Sequence, residues 1–324
     1  MRIAMVGAGG VGGYFGARLA AAGQDVWFVA RGPHLAAMQA GGLRLSSLKG
    51  DLALPSVNVT SEPAQIGPCD VVFVAVKTWQ LQDAISRVAP LMSDGTVVVP
   101  LLNGVEAADE LAGSLGRAPV LKGLTKILSF IEAPGHVRHA GAEPHIALGE
   151  WDNHRSDRTE QLAAVLRDAG VNVRIPDDID VALWEKFTFV VSVGGVGAVT
   201  RAPIGHFRSL PETRALVESA MHEIVAVGRA RGVAIPDGVV ERSLGFIDSL
   251  PAGGSASLQR DIAAGRRSEL DAWNGAVVRL GAAAGVATPV HSFIHASLVL
   301  SEARARGEAS FTVPGQPSSA ADSG

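Results

Sequence analysis

The run Gly7-Ala8-Gly9-Gly10-Val11-Gly12 lies near the start of a chain of 324 residues, between two segments of different periodicity. The residues before it, Arg2–Val6, are a short apolar run typical of a β-strand. The residues after it, Val11–Ala22, follow a helical pattern that ends at Gly23. A glycine-rich turn between a strand and a helix is how a βαβ unit begins. This stretch therefore predicts that the chain opens with an α/β domain.

Alternating strands and helices continue outward from the glycine run. Strands are predicted at Asp25–Ala30, Val71–Val76 and Thr96–Leu101, and helices at His34–Ala40, Leu81–Ala89 and Val105–Leu115. This order predicts a Rossmann-type doubly wound parallel sheet with right-handed crossovers. Further strands are predicted as short antiparallel pieces in Leu43–Thr60, as two or three strands around a Pro134-Gly135 turn in Val120–Gly149, and as a last strand at Val171–Ile175.

After about residue 178 the strand pattern stops and helical patterns follow. Helices are predicted at Ile179–Val193, Pro211–Arg231, Pro236–Ser249, Leu258–Ala264, Leu270–Gly285 and Pro289–Arg306. The predicted fold class is thus α/β, with a Rossmann-type domain in residues 1–177 followed by an all-α domain in residues 178–306. Residues 307–324 are rich in Ser, Ala, Gly and Pro and are predicted to be a disordered tail.

Composition excludes several classes of protein. A content of 47% hydrophobic and 19% charged residues fits an ordered globular chain. A net charge of −4 without a basic run predicts no nucleic-acid partner. The longest nearly apolar run, Phe187–Thr200, has 14 residues, fewer than the roughly 20 that a membrane span needs, so no membrane partner is predicted. The single cysteine, Cys69, permits no internal disulfide, and a cytoplasmic location is predicted.

The glycine spacing predicts what the opening turn binds. In a GxGxxG motif the first glycine, Gly7, allows the tight turn, Gly9 lets the backbone approach a pyrophosphate, and Gly12 lets the helix pack on the strand. Arg31 follows the second predicted strand, where NAD enzymes carry an acid for the ribose hydroxyls, and a guanidinium suits a 2′-phosphate instead. The sequence therefore predicts dinucleotide binding with a preference for NADPH. The alternatives are a glycine-rich turn without a ligand and a solvated surface arginine.

Lysine is rare in this chain, with five lysines among 28 basic residues. Two of the five stand at positions of interest. Lys77 directly follows the predicted strand Val71–Val76, and carboxyl ends of strands are where open α/β sheets bind their ligands. Lys186 lies on the first helix after the predicted domain junction. On these residues alone, Lys186 could equally be a neighbour of Glu185 on a solvated helix face.

With these residues the chain resembles the ketopantoate reductase (2-dehydropantoate 2-reductase) family. Besides the glycine run and Arg31, the matching segments are Val76–Thr78, Leu102–Val105, Pro134–Val137, Trp184–Phe187, Ser257–Asp261, Ser268–Asp271 and Asn274-Gly275. They follow one another in the family's order up to about residue 306. The resemblance implies an NADPH-dependent enzyme that reduces a 2-keto acid to a 2-hydroxy acid.

The resemblance also implies roles for single residues. The implied contacts to NADPH or NADP+ come from Gly7, Ala8, Gly9, Gly10, Val11, Gly12, Arg31, Lys77 and Asn103. Lys186 matches the general acid, and Glu269 matches an acid that contacts substrate or cofactor. The implied substrate contacts come from Asn103, Lys186, Ser257 and Glu269. An ammonium suits the acid role because hydride attack on a carbonyl carbon leaves negative charge on the oxygen.

The chain departs from the family pattern beside Lys186. Family members carry asparagines four and eight residues after this lysine, and here those positions are Val190 and Gly194. A third family asparagine, shortly before the serine, is replaced within Gly253-Gly254. Positions four apart share a helix face, so the changes predict a less polar pocket. The substrate would then be a bulkier or less polar 2-keto acid than ketopantoate, or another carbonyl compound. Gly194, Gly195 and Gly197 also predict either a broken helix or a close neighbour.

Two other functions remain open from the sequence. One is an enzyme of the related β-hydroxyacid dehydrogenase or imine reductase group, which also uses a lysine on a helix between domains. The other is a non-catalytic NADPH-binding regulatory protein, against which the retention of Lys186 and Glu269 argues. His291 and His295 have a spacing that suits a metal, but without an evident third ligand no metal site is predicted. The apolar helices of the second half are compatible with a homodimer.

Overall fold

The computed structural model describes residues 1–311, except for the side chain of Ala142. The chain divides into two compact units, Met1–Leu183 and Trp184–Gly324. Most of the predicted disordered tail, residues 312–324, lies outside the described residues.

The first unit contains ten strands and five complete α-helices within its described residues. The strands are β1 Arg2–Val6, β2 Asp25–Val29, β3 Leu43–Ser47, β4 Leu52–Leu54, β5 Asn58–Thr60, β6 Val71–Val74, β7 Val97–Pro100, β8 Lys122–Ala133, β9 His136–Gly149 and β10 Asn172–Arg174. The helices are α1 Gly10–Ala21, α2 Gly32–Gly41, α3 Leu81–Val88, α4 Ala107–Leu115 and α5 Asp157–Asp168.

Five strands form a parallel sheet in the order β5-β2-β1-β6-β7. Alternate residues of β1 enter different apolar clusters on the two faces of this sheet, Ile3 and Met5 on one face and Ala4 and Val6 on the other. All four residues of β6 are buried, as expected for a strand covered by structure on both faces. The predicted doubly wound Rossmann-type sheet is confirmed.

A second sheet has the order β10-β9-β3-β4, and β8 pairs with β9. The predicted turn at Pro134-Gly135 is confirmed, since β8 and β9 form a long antiparallel hairpin around it. The prediction that Leu43–Thr60 forms only antiparallel pieces is wrong in part. Strands β3 and β4 pair antiparallel, but β3 pairs parallel with β9, and β5 joins the first sheet parallel to β2. A three-residue strand such as β5 carries too little periodicity to reveal its partner.

Within residues 184–311, the part of the second unit that the structure describes, every regular element is a helix. Its helices are the larger part of α6 Ile179–Thr200, then α7 Ile204–Phe207, α8 Pro211–Ala230, α9 Val239–Ser249, α10 Ser257–Ala263, α11 Ala276–Ala284 and α12 Pro289–Ala305. Pro211 and Pro289 begin their helices, where proline loses no helical hydrogen bond. The segment predicted as one helix over Leu270–Gly285 is instead a π-helical turn, Asp271–Gly275, followed by α11.

Helix α6 continues seven residues beyond its predicted end, and its glycines do not break it. A β-carbon on Gly194 would lie 2.6 Å from the ring of Trp273, and one on Gly195 would lie 2.6 Å from Nδ2 of Asn274. Gly197 faces Oε1 of Gln259 in the same way, at 2.7 Å. The glycines therefore admit close neighbours. By length and composition α6 could cross a membrane, but 72% of its apolar window is buried, as in the core helix of a globular domain.

Candidate functional site

Four neighbouring strands of the first sheet end at one row of paired residues. Val6 of β1 lies opposite both Val29 of β2 and Val74 of β6, and Val74 lies opposite Pro100 of β7. We call Val29, Val6, Val74 and Pro100 the edge row. Because the strands are parallel, the chain leaves all four residues at the same edge of the sheet.

The candidate residues of the first unit all come shortly after the edge row. Gly7 directly follows Val6, and Arg31 is the second residue after Val29. Lys77 and Asn103 are each the third residue after their row member, and both are half-buried. The alignment continues past the row, since the N–H of Leu101 donates to the carbonyl of Val74 at 2.8 Å. The structure thus brings the glycine run, Arg31, Lys77 and Asn103 to one edge.

The first turn of the glycine run is held against β2 and β6. Gly7 has φ +101°, and a β-carbon there would lie 2.7 Å from the carbonyl oxygen of Ala75. The N–H groups of Gly7 and Ala8 both donate to the carbonyl of Val29 at 3.2 Å. A β-carbon on Gly12 would lie 1.9 Å from the Gly7 oxygen. Backbone approach therefore requires glycine at positions 7 and 12.

Gly9 faces open space. Apart from Gly9 itself and its two chain neighbours, no atom of the described residues lies within 4 Å of a β-carbon built on Gly9. Gly9 is the N-cap of α1, and as a glycine it has no side chain that could accept a hydrogen bond from the first N–H groups of the helix. The first N–H groups of a helix need partners, and an anion satisfies both these groups and the helix dipole. A pyrophosphate fits this open helix start.

Gly10 is glycine for a reason that local sequence could not reveal. A β-carbon on Gly10 would lie 2.3 Å from the carbonyl oxygen of Ser129 on β8. Strand β8 thus passes directly over the start of α1, although more than a hundred residues separate the two in the chain.

Arg31 forms an ion pair that the sequence did not predict. Its Nη2 donates to Oδ2 of Asp83 on α3 in a very short hydrogen bond, with the side chains 53% and 48% exposed. Arg87 lies 3.4 Å from the same carboxylate oxygen and donates to the carbonyl of Ser61 at 3.0 Å. The hydrogen bond from Arg31 is the main cause that lowers the pKa of Asp83. Arg31 is exposed, as one sequence alternative held, but it is engaged by an acid.

Lys186 is buried, with 8% of its surface exposed. Its neighbour Glu185 is paired with Arg242 of α9, with Oε1 of the acid 2.8 Å from Nη2. The interpretation of Lys186 as a neighbour of Glu185 on a solvated face is therefore wrong. The ring of Trp184 packs edge-on against Phe187 with centroids 5.7 Å apart, so aromatic rings flank the lysine along the helix.

The segments that carry Ser257 and Glu269 both pack on α6 at Gly194. Ser257 begins α10, and the next residue, Leu258, has its Cβ 3.5 Å from the β-carbon position of Gly194. On the other side the ring of Trp273 lies against the same position at 2.6 Å. The N–H of Trp273 donates to the carbonyl of Glu269 at 3.0 Å, which fixes the turn between them.

Gly194 lies about two helical turns after Lys186 on the same face of α6. The three segments bearing the predicted substrate-side residues of the second unit therefore meet around one stretch of this helix. Glu269 itself is 5% exposed, and Ser257 is half-buried.

A buried carboxylate holds the residue before Glu269. Oε1 of Glu302 on α12 accepts the N–H of Ser268 at 2.9 Å and, more closely, the Ser268 hydroxyl. The same hydroxyl oxygen accepts the N–H of Leu270 at 3.2 Å. Glu302 is 2% exposed. Sequence reasoning missed Glu302 because an acid near the end of a long helix is usually solvated.

The face of α6 around Lys186 is apolar. Val190, one turn later, is half-buried. The ring of Phe189 packs against Phe246 of α9 with centroids 5.0 Å apart, and Phe246 is 51% exposed.

His291 and His295 are engaged by other groups. Nε2 of His291 lies 2.9 Å from the carbonyl of Ala220, and Nδ1 lies 3.0 Å from Nδ2 of Asn274. Full burial lowers the pKa of His291 to about 4, so its ring is neutral at pH 7. His295 lies 3.0 Å from Oδ1 of Asp271. Among the described residues no cluster of three or more His, Cys, Asp or Glu could hold a metal ion.

Comparisons with known proteins cover both units. The family described as ketopantoate reductase PanE/ApbA matches residues 3–153, and its C-terminal counterpart matches residues 178–301. The 2-dehydropantoate 2-reductase of Mesorhizobium japonicum is 33% identical over 310 residues, 89% of this chain and 94% of that protein.

Two solved structures share the fold closely. The crystal structure of 2-dehydropantoate 2-reductase from Geobacter metallireducens has a TM-score of 0.87 at 34% identity, over 92% of this chain and 99% of that one. That of the PanE/ApbA family ketopantoate reductase from Ralstonia eutropha has a TM-score of 0.87 at 33% identity, over 94% of this chain and all of that one.

Proposed function

Because the chain belongs to the ketopantoate reductase family, a family of oxidoreductases, we propose that it reduces a 2-keto acid to a 2-hydroxy acid with NADPH. The observation that carries the proposal is the buried Lys186, on a helix where the segments bearing Ser257 and Glu269 also pack. Residues 1–177 are proposed to bind the cofactor and residues 178–306 to carry the catalytic groups.

The edge row of the first sheet supports the cofactor assignment. The open helix start at Gly9 would take the pyrophosphate, and Arg31 would take the 2′-phosphate. Lys77 and Asn103 would lie near the nicotinamide and the keto acid, since each is the third residue after its own member of the edge row. When bound, the nicotinamide supplies the hydride that reduces the carbonyl carbon. A neutral or anionic side chain in place of Arg31 would shift this assignment toward NADH.

Lys186 is proposed as the general acid. Its ammonium would donate a hydrogen bond to the carbonyl oxygen and then deliver a proton as negative charge develops there. Burial strengthens this electrostatic interaction, because the ammonium is screened less by water than a surface lysine is. Glu269 and Ser257 would orient the substrate beside it. The support that Glu302 gives to Ser268 limits the freedom of the segment that carries Glu269.

The substrate is proposed to be less polar than ketopantoate. Beyond Lys186 the same face of α6 presents Val190 and then Gly194, with the Trp273 ring against the glycine. Phe189 and Phe246 extend the apolar surface. An apolar wall adds affinity for alkyl or aryl groups, and it does not reward a substrate hydroxyl as a hydrogen-bonding site would.

The proposal includes a cytoplasmic location, because the single cysteine, Cys69, permits no internal disulfide. Cys69 is buried, and burial raises its pKa to about 11, so the thiol stays protonated and unreactive at pH 7.

A substrate panel tests the proposal. The rate of NADPH oxidation is measured with ketopantoate and with aryl and alkyl 2-keto acids, and kcat/KM is compared among them. We expect turnover with at least one 2-keto acid and a higher kcat/KM for an aryl or long alkyl compound than for ketopantoate. A clear preference for ketopantoate would refute the substrate assignment. NADPH binding, seen by its fluorescence, without turnover of any compound would refute the enzymatic function and favour a regulatory protein.

A further inference from the structure

We propose that Asp83 is a specificity-determining residue that weakens the preference for NADPH over NADH. The proposal rests on the proposed function, in which Arg31 meets the 2′-phosphate. The observation behind it is the ion pair between the Arg31 guanidinium and the Asp83 carboxylate.

The pair lies at the edge where the cofactor is proposed to bind. Arg31 follows Val29, whose carbonyl accepts the N–H groups of Gly7 and Ala8 in the glycine turn. Asp83 lies in the first turn of α3, which begins four residues after Lys77. Two chain segments that leave the edge row from β2 and β6 thus meet through these two side chains.

The carboxylate takes part of the capacity of Arg31 to bind an anion. A guanidinium has five N–H donors and binds phosphate best through two of them at once. In the described residues Nη2 of Arg31 is directed to Asp83, so a 2′-phosphate must either share Arg31 with the carboxylate or replace it. A phosphate that shares Arg31 lies close to the negative charge of Asp83, which repels it.

The same carboxylate favours the unphosphorylated ribose. Acids near the end of the second strand of a Rossmann domain accept hydrogen bonds from the ribose 2′-hydroxyl in NAD enzymes. Asp83 comes from α3 and not from the second strand, yet its carboxylate reaches Arg31, which follows that strand. Arg87, at 3.4 Å from the same carboxylate, partly offsets its charge and keeps the cluster of two arginines and one acid net positive. We therefore expect a chain that uses both cofactors and prefers NADPH only modestly.

The effect is expected to be several-fold and not larger. Both partners are about half-exposed, and exposed ion pairs are weak because water and salt screen them. Because the ion pair is weak, Asp83 can compete with a phosphate for Arg31 without excluding the phosphate.

Fluorescence titration measures the Kd of NADPH and of NADH for the full chain and for Asp83→Asn. The variant is expected to bind NADPH about 2- to 5-fold more tightly, with NADH binding unchanged or weaker. Asp83→Ser, which removes the charge without introducing an amide, should tighten NADPH binding in the same way. Asp168→Asn, an exposed acid at the end of α5, is the matched control and should change neither Kd.

A double variant isolates the route through Arg31. In an Arg31→Gln background the Asp83→Asn substitution should tighten NADPH binding clearly less than it does beside Arg31, because only the direct repulsion by the carboxylate is then relieved. An equal change for NADPH and NADH in Asp83→Asn, or an undiminished gain without Arg31, would overturn the inference and leave the proposed function intact. Failure of the unaltered chain to bind either cofactor would overturn the proposed function itself, and this inference with it.

Discussion

The indole of Trp273 occupies the space beside Gly194 of α6, with Cζ3 2.6 Å from where a β-carbon at that position would lie. No Cβ tolerates such a contact unless its neighbour moves, and Trp273 is 1% exposed, within a packed interior. The identity of residue 194 is thus coupled to the aromatic residue that follows Glu269 by one turn.

Gly194→Ala should destabilise the fold by about 1–3 kcal/mol, because overpacking outweighs the gain of about 1 kcal/mol in helix propensity. Gly245→Ala on α9 is the control, since beyond its chain neighbours and the nearby helix backbone no described atom lies within 4 Å of its β-carbon position, and it should be neutral or stabilising. Denaturant unfolding measures both. Adding Trp273→Leu should reduce the cost of Gly194→Ala, whereas strictly additive effects would contradict the coupling.

Lys186→Ala should lower kcat about 10²- to 10⁴-fold, the range typical of a lost general acid. Its Kd for NADPH should stay near normal, because the proposed cofactor contacts lie in the first unit. Steady-state kinetics and fluorescence titration measure the two quantities. Lys49→Ala, which removes an exposed lysine paired with Glu143, is the control and should leave kcat unchanged. A retained kcat in Lys186→Ala would reject the acid role.

Arg31→Asp should raise the KM for NADPH far more than the KM for NADH. The substitution replaces a fixed positive charge with a negative one at the proposed 2′-phosphate position, beside the acid Asp83. Initial rates with each cofactor at saturating keto acid measure the two KM values. An equal rise in both would mean that Arg31 does not contact the 2′-phosphate.

His291 should make the fold less stable in mild acid. Its pKa is about 4 in the folded chain against an ordinary 6.5, so the unfolded chain binds more protons between these values. Unfolding free energy should therefore fall as the pH drops from about 6.5 toward 4, by about 3 kcal/mol over the whole window. Urea unfolding at pH 7, 6 and 5 measures the slope. His291→Gln cannot titrate and should show a shallower slope, and identical slopes would exclude His291 as the cause.

Glu302→Ala should destabilise the fold and lower kcat together. It leaves the N–H and hydroxyl of Ser268 buried without their acceptor, at a cost of about 1–3 kcal/mol, and frees the segment carrying Glu269. Glu302→Gln keeps an acceptor oxygen and should recover most of the loss in kcat. Thermal unfolding and kcat are measured for both. If the alanine variant keeps full kcat at temperatures where it is folded, Glu302 does not position Glu269.

The parallel sheet and the helical second unit were predictable because their patterns are long and local. Continuous apolar runs such as Val71–Val74 and the glycine turn at Gly7 define their own structure. The end of α6 was placed too early, since helix propensity counts against Gly194 and Gly195 and the sequence cannot show that Trp273 and Asn274 need their space.

For single site residues the sequence predicts the position relative to a strand or helix end, and it does not predict which residues meet in space. That Lys77 and Asn103 follow strand ends is visible in the sequence, and the register that aligns them is not. Asp83 and Glu302 were missed because each acts on a residue at least 34 positions away, Arg31 and Ser268 respectively. Local sequence periodicity cannot identify an acid whose hydrogen-bond partner lies so far away in the chain.

The edge row separates changes that this chain can tolerate from changes that it cannot. Val29, Val6, Val74 and Pro100 fix where four loops begin, whereas nothing in the strand pairing fixes how long those loops are. Insertions or substitutions after the row can therefore reshape what is bound while the loop origins stay where they are. A one-residue insertion within β6, by contrast, would displace Lys77 and reverse the sheet faces of the residues it shifts. A related enzyme with a new substrate should thus differ from this one in its loops long before it differs in its strands.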